Sequence, residues 1–111
     1  MRAEYLALQS ALENRGVFTT LVPHDDGFPQ LVCATHRTPR GLEGNSFWLR
    51  MNSSGTWVLS TWSNQIWSVP ATMTAEQIGA MCVEILGRWS FDAVPDDLAR
   101  KHGLLEQPYV G

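Results

Sequence analysis

Residues 46–69 constrain the fold most, because apolar and polar side chains alternate there at the two-residue period of a β-strand. Three strands are predicted, over residues 46–52, 56–62 and 66–69. Ser53-Ser54-Gly55 fits a three-residue turn with a left-handed glycine, which places Met51 opposite Trp57. A two-residue turn would place Met51 opposite Thr56 and split the apolar set, so the pattern selects one register.

The same turn rule, applied to Ser63-Asn64-Gln65, pairs Thr61 with Trp67 and Leu59 with Val69. One side of the three strands is then apolar, and it consists of Phe47, Leu49, Met51, Trp57, Leu59, Trp67 and Val69. The second sheet face is mixed, and it consists of Trp48, Arg50, Val58, Ser60, Trp62, Ile66 and Ser68. We therefore assign the apolar side to the hydrophobic core.

Two amphipathic helices flank the strands. Residues 3–14 form the first predicted helix, and Gly16 lies where a left-handed glycine would end it. Its apolar stripe consists of Tyr5, Leu8, Ala11 and Leu12. The second helix begins after Thr74, because Thr74 and Gln77 have the spacing of a capping box, and it ends near Gly87. Its apolar stripe consists of Ile78, Met81, Cys82, Ile85 and Leu86.

The remaining segments predict two strands, a loop and a short helix. β-Branched and aromatic residues indicate strands over 17–22 and 30–36, separated by the turn-rich residues 23–29. Residues 37–45 are polar and contain Pro39, Gly41 and Gly44, which predicts a surface loop. A short helix is predicted over 98–102, after the second long helix, and Gly103-Leu104 fits its C-terminal cap. The last seven residues are expected to fray.

These elements predict a single α+β domain over residues 1–111. The expected architecture is a two-layer sandwich with an N-terminal helix, a five-stranded antiparallel meander, a C-terminal helix and a short terminal helix. A chain of 111 residues is long enough to bury one core. Both longer helices are expected on the apolar side of the sheet.

Charge and cysteine usage exclude several classes of function. The net charge is -3 and basic residues are scattered, which argues against a nucleic-acid footprint. No apolar stretch approaches the roughly 20 residues of a membrane span, and the start lacks a signal-peptide pattern. Cys33 and Cys82 match no zinc or redox spacing, so we expect reduced, buried thiols, no cofactor and a cytoplasmic location.

Two loops contain residue types that could act chemically. His24, Asp25 and Asp26 share one loop, and Arg37 and Arg40 share another, so a small-ligand site or an enzymatic site at these strand ends is one hypothesis. Asp-Asp-Gly is also ordinary turn chemistry, and solvated charge explains the arginines equally simply. No metal or dinucleotide motif is present in either loop.

A thiol nucleophile with its base is disfavoured on geometric grounds. Cys33 and His36 are three positions apart on a predicted strand, so their side chains point to opposite faces. Nucleophile and base must lie within hydrogen-bond reach. The sequence therefore favours a buried Cys33 and a His36 at the rim of the sheet.

The second sheet face provides the main functional hypothesis. Two helices of this length cover one face of the sheet, which leaves Trp48, Trp62 and Ile66 partly exposed unless residues 37–45 or the C-terminal segment fold over them. Tryptophan and arginine are favoured at the centres of interfaces. We therefore expect a non-catalytic module that binds a protein partner or a second copy through Trp48, Arg50, Trp62 and Ile66.

The capping box gives the first testable prediction. Replacing Thr74 with alanine removes the acceptor for a backbone N–H of the first helical turn, which costs about 1 kcal/mol of folding free energy. Urea denaturation of the wild type and of Thr74→Ala measures this loss. An unchanged midpoint and slope would show that Thr74 does not cap the helix.

Overall fold

The structure is a computed structural model that describes residues 2–24, 27–89 and 92–107. Its elements, in chain order, are α1 (Arg2–Glu13), β1 (Phe18–Val22), β2 (Gln30–Thr38), β3 (Gly41–Met51), β4 (Trp57–Ser60), β5 (Ile66–Ser68), α2 (Ala75–Gly87), α3 (Asp96–Lys101) and β6 (Leu105–Gln107). The strands form one antiparallel sheet whose spatial order follows the order along the chain. The predicted α+β class and antiparallel sheet are confirmed.

The turn between β3 and β4 has the predicted register. Met51 lies opposite Trp57 and Leu49 lies opposite Leu59. Gly55 adopts a φ of 81°, which is the left-handed conformation that the three-residue turn requires. Because side chains alternate along each strand, this register places Leu49 and Leu59 together in the core, where both are fully buried.

The predicted register between β4 and β5 was wrong by two residues. Leu59 pairs with Trp67, whereas the sequence indicated Val69. Thr61 N–H donates to the Gln65 carbonyl over 3.1 Å, and Asn64 adopts a φ of 67°, so Asn64 supplies the left-handed residue of this turn. A shift of two residues keeps every side chain on its original face. Trp67 and Val69 are therefore both buried, as predicted.

The predicted surface loop at residues 37–45 was also wrong. β2 and β3 continue through it and pair Thr38 with Gly41 across a two-residue turn at Pro39 and Arg40. A bulge places two β3 residues, Gly44 and Asn45, opposite one residue of β2, and Gly44 has a φ of 89°. Most side chains of this hairpin end are exposed, so the segment lacks the alternation that would have indicated strands.

The sheet has six strands rather than the predicted five. β6 pairs with β5 at the edge of the sheet, with Leu105 opposite Ser68 and Gln107 opposite Ile66. All three residues of β6 are exposed, so no buried position revealed the strand in the sequence. Residues 105–107 were expected to fray and instead extend the sheet, while the remaining four residues lie outside the described part of the chain.

The core joins the helices to the apolar side of the sheet. The buried residues of α1 and α2 belong to one cluster with Leu31, Phe47 and Leu59 of the strands. The Tyr5 hydroxyl accepts the Met51 N–H over 2.9 Å, which ties α1 to the β3–β4 hairpin. Gly79 lets α2 approach α1 closely, because a Cβ there would lie 3.3 Å from the Ala11 carbonyl oxygen.

The predicted helix ends are present. Thr74 Oγ1 accepts the Gln77 N–H over 3.2 Å, and Gln77 Oε1 accepts the Thr74 N–H over 2.9 Å, which completes the capping box. At the end of α3, Gly103 has a φ of 70° and Leu104 N–H donates to the Ala99 carbonyl over 2.9 Å. Leu104 is buried, so the cap includes the expected apolar contact.

The bulge gives the second prediction. A Cβ at Gly44 would lie 2.3 Å from Thr35 Oγ1 and 2.7 Å from His36 Nδ1, so Gly44→Ala must break the 2.9 Å hydrogen bond between those atoms as well as strain the backbone. Gly55→Ala is the matched control, because Gly55 has a similar φ and open space around it. Thermal or urea unfolding should show that Gly44→Ala loses about 1 kcal/mol more than the control. Equal losses would mean that the bulge tolerates a side chain.

Candidate interaction surface on the open sheet face

Residues of the second sheet face belong to a larger surface that we call the open face. It comprises the outward-facing positions Phe18, Thr20, Val22, Gln30, Val32, Ala34, Ser46, Trp48, Arg50, Val58, Ser60, Ile66, Ser68, Leu105 and Gln107, together with Trp62. The strand register places these side chains opposite the buried positions of each strand. All four predicted interface residues, Trp48, Arg50, Trp62 and Ile66, lie on it.

Two tryptophans pack against each other near one end of the open face. The rings of Trp48 and Trp62 meet edge to face, with centroids 4.9 Å apart. Trp62 Nε1 donates to Ser46 Oγ over 2.8 Å. The Trp62 side chain is nevertheless 61% exposed. Its orientation is therefore fixed by contacts within the chain while most of its surface meets solvent.

A concavity of about 450 Å³ occupies the neighbouring part of the same face. Its lining residues are Phe28, Gln30, Trp48, Arg50, Met51, Asn52, Ser53, Val58, Ser60 and Ile66. Trp48, Arg50 and Ile66 are thus brought together, and Trp62 lies beside them through its contact with Trp48. Among these described lining residues there is no carboxylate, imidazole or thiol that could act as a general base.

The open face is poor in charge. Arg50 is the single charged residue of the set that defines it, although charged residues make up 17% of the chain. Depletion of charge at the centre, together with tryptophan and arginine, is the compositional signature of protein interfaces. Other exposed apolar residues of the same face are Val22 and Leu105.

Within the described residues, the segments that could have covered this face extend the sheet instead, and residues 108–111 lie outside the described part of the chain. Residues 37–45 belong to the β2–β3 hairpin, and β6 pairs along the edge of β5. The buried side chains of α1, α2 and α3 lie in the core cluster with the apolar side of the strands. In the part of the chain that the structure describes, no helix is packed over Trp62.

The alternative site at the strand ends is divided by the sheet. His24 precedes β2, whereas Arg40 follows it, so the length of the nine-residue strand separates them. Arg37 donates to the Thr19 carbonyl over 3.0 Å, and its guanidinium lies 5.2 Å from the centre of the Phe18 ring. Asp25 and Asp26 lie outside the described residues. In the described ranges, no cluster of three His, Cys, Asp or Glu side chains could hold a metal ion.

Both cysteines are buried and free of disulfide bonds. Cys33 is fully buried and His36 is exposed, so the strand separates them as the two-residue period predicts. Burial raises the pKa of the Cys33 thiol well above its ordinary value, with a smaller contribution from Cys82 nearby. A protonated, inaccessible thiol is a poor nucleophile.

A polar cluster of Glu84, Lys101 and His102 joins α2 to the end of α3. Lys101 Nζ donates to Glu84 Oε2 over 2.7 Å, and His102 Nε2 lies 2.5 Å from Glu84 Oε1. These hydrogen bonds, first from Lys101 and then from His102, hold the pKa of Glu84 below its ordinary value. Both oxygens of the carboxylate are occupied by groups of α3 and its C-terminal cap. The cluster therefore fastens the two helices together.

Val58, Phe28 and Gln30 belong to the concavity but were not among the predicted interface residues. The sequence had already placed Val58 on the second sheet face, and the predicted register pairs it with Arg50. Gln30 begins β2 and faces the same side as Val32. Phe28 lies in the loop before β2, and a loop has no periodicity from which its direction could be deduced.

Comparison with protein-family models, with curated proteins and with solved structures found no significant match for this chain. A search of the described residues for membrane spans found no helix that is both long enough and apolar enough to cross a bilayer.

The Glu84 cluster gives a prediction about pH. Because the folded pKa of Glu84 is depressed, its ionised form contributes stability above pH 4.5, and this contribution is lost as the pH falls through the lower folded pKa. Glu84→Gln should therefore lower the unfolding midpoint in urea at pH 7 and have a smaller effect at pH 2.5, where more of the Glu84 side chain is protonated. Glu43→Gln, at an exposed glutamate of β3, controls for the loss of net charge. An equal destabilisation by Glu84→Gln at both pH values would contradict the assignment.

Proposed function

We propose that this protein is a non-catalytic binding module that recognises another folded polypeptide through the open face. The observation that carries the proposal is the Trp48–Trp62 pair, in which Trp62 is 61% exposed although its contacts with Trp48 and Ser46 fix its orientation. Large aromatic side chains bury much area with few rotatable bonds, so they lose little entropy on binding. This arrangement is favourable for the anchor of an interface.

The rest of the open face supports the same proposal. Val58 and Ile66 line the concavity beside Trp48 and supply apolar area, while Ser60 and Gln30 also line it and supply hydrogen-bonding groups. Stable interfaces combine an apolar centre with polar groups of this kind. The concavity provides a place into which a side chain of the partner can insert.

The proposal includes a two-layer arrangement and a cytoplasmic location. In the two-layer arrangement, α1 and α2 cover the inner side of the sheet and leave the open face to the partner. Support comes from the single core cluster that contains both helices and alternate strand residues. The cytoplasmic location is supported by Cys33 and Cys82, which are buried as free thiols in a reduced state.

The test compares binding by matched variants. Immobilised wild-type chain is used to select binders from a displayed library of folded protein domains. The affinity of each binder for the wild type and for the variants is then measured by interferometry. Replacing both Trp48 and Trp62 with glutamine should weaken binding roughly tenfold or more, because two anchors of the interface are removed. The control is Leu6→Gln, which changes an apolar residue that is 48% exposed on α1.

Circular dichroism checks that the double variant is folded, and the single variant Trp62→Gln replaces it if Trp48 proves necessary for folding. Binders that lose affinity for the tryptophan variants but keep it for Leu6→Gln support the proposal. Binders that are equally affected by the control, or a selection that yields none, would contradict it.

A further inference from the structure

The concavity on the open face contains a cation and, among the described residues that line it, no anion. Arg50 is the single charged residue of this lining, and it is half-buried. Val58 lies directly opposite Arg50 on β4, and Trp48 lies two positions earlier on the same face of β3. Because these apolar side chains exclude part of the water beside the guanidinium, its attraction for an anion is stronger than that of a fully exposed arginine.

Asn52 adds a hydrogen-bond donor whose orientation is fixed by the β3–β4 turn. Its Oδ1 atom accepts the Ser54 N–H over 3.1 Å, the Ser54 hydroxyl over 2.7 Å and the Thr56 N–H over 3.0 Å. These hydrogen bonds determine which end of the amide faces the turn. The Nδ2 group can only donate, and it is the end of Asn52 that remains for a ligand in the concavity.

The hydrogen-bonding capacity of the lining matches a carboxylate. A guanidinium binds a carboxylate through a pair of parallel N–H donors, and the remaining lone pairs of the carboxylate accept further hydrogen bonds. Asn52 can supply one of these, and Ser53 and Gln30 line the same concavity with side chains that can also donate. Since a guanidinium has several N–H donors, Arg50 can bind a carboxylate and keep a contact within the chain as well.

The apolar part of the lining indicates what accompanies the carboxylate. It consists of Phe28, Trp48, Met51, Val58 and Ile66. We propose that the concavity binds a carboxylate next to apolar atoms, supplied by an acidic side chain of the partner polypeptide. Arg50 and Asn52 hold the carboxylate, while Trp48 and Val58 contact the apolar atoms beside it. This inference rests on the proposed function and specifies what the partner inserts.

The surroundings of the concavity favour a polypeptide over a free acid as the source of the carboxylate. A volume of about 450 Å³ is enough for one inserted group. Trp62 is 61% exposed and lies beside the concavity through its contact with Trp48. A free acid in the concavity leaves this exposed indole uncovered, whereas a polypeptide that inserts an acidic side chain can cover it with neighbouring residues.

Binding of phenylacetate to the whole chain tests the carboxylate site directly. This probe joins an aromatic ring to a carboxylate, and phenylacetamide is its uncharged counterpart of similar shape. In ¹⁵N-correlated NMR spectra, phenylacetate should move the Trp48 indole signal with a dissociation constant in the millimolar range. Phenylacetamide should bind roughly tenfold more weakly, because it lacks the charge-assisted hydrogen bonds. Since the chain has a net charge of -3, it has no general attraction for anions.

Variants of the lining test which residues hold the carboxylate. Arg50→Gln should weaken phenylacetate binding roughly tenfold or more, and Arg50→Lys should weaken it less, because it keeps the charge but not the paired donors. Asn52→Asp keeps an acceptor for the turn and places a negative charge in the concavity, so it should also weaken binding. The control is Arg40→Gln, which removes the same charge from the exposed β2–β3 turn. Circular dichroism checks that each variant is folded.

The selected binders test whether the carboxylate comes from a polypeptide. Each Asp and Glu of a binder is replaced by its amide, and the affinity is measured against the wild type and against Arg50→Gln. One such replacement should weaken binding to the wild type roughly tenfold and have little further effect on Arg50→Gln, because both changes break the same ion pair. If no acidic side chain of any binder is coupled to Arg50, the assignment to an acidic side chain is wrong.

The outcomes separate this inference from the proposed function. Equal binding of phenylacetate and phenylacetamide, or equal effects of Arg50→Gln and Arg40→Gln, would overturn the inference, and the proposed function would stand if binders depend on Trp62. Phenylacetate that binds through Arg50 while no binder depends on the open face would contradict the proposed function and the polypeptide source, and would assign the concavity to a free carboxylic acid.

Discussion

The pairing of Met51 with Trp57 across the β3–β4 turn determines which side chains of the sheet are buried. The turn requires Gly55 in its left-handed conformation, and a shift of one residue would exchange the two faces. Tyr5 secures the same hairpin from α1, through its hydroxyl to Met51 and through its ring to Trp57, with centroids 4.8 Å apart. Every later property of the two sheet faces follows from this register.

One consequence is that aromatic residues are divided between two roles. Trp67 is buried in the core cluster, whereas Trp62 is exposed, although both lie near the same β4–β5 turn. In the part of the chain that the structure describes, the buried residues of both longer helices belong to that same cluster. An antiparallel sheet can leave its other face to solvent, but that face is then normally polar. Here it combines polar side chains with two tryptophans and little charge, which is why we propose that it binds a partner.

The sequence predicted the strands that have one buried face, and it missed the strand segments that are exposed on both faces. The register of β3 and β4 could be deduced because a glycine and the apolar pattern agreed. The β4–β5 turn was displaced by two residues because Asn64, rather than a glycine, takes the left-handed position. The outer β2–β3 hairpin and β6 are exposed, so their pairing is set by backbone hydrogen bonds that leave no hydrophobic period.

The same reasoning explains how much of the candidate surface was predictable. Trp48, Arg50 and Ile66 were placed on the correct face. Side chains alternate between the two faces of a strand, so a register shift of two residues does not change the face of any side chain. The concavity itself was not predictable, because it also requires Phe28 from a loop. Nor could the sequence show that Ser46 holds Trp62 in place, since that contact links β3 to the β4–β5 turn.

The indole N–H signals of the five tryptophans report most directly on the central claim that the open face binds another folded polypeptide. The measurement is a series of ¹⁵N-correlated NMR spectra, recorded while a binder selected from the library of folded domains is added to the protein. The account predicts that the signals of Trp48 and Trp62 move, while that of the buried Trp67 stays in place. Invariant positions for Trp48 and Trp62, or movements confined to residues of α1 and α2, would contradict it.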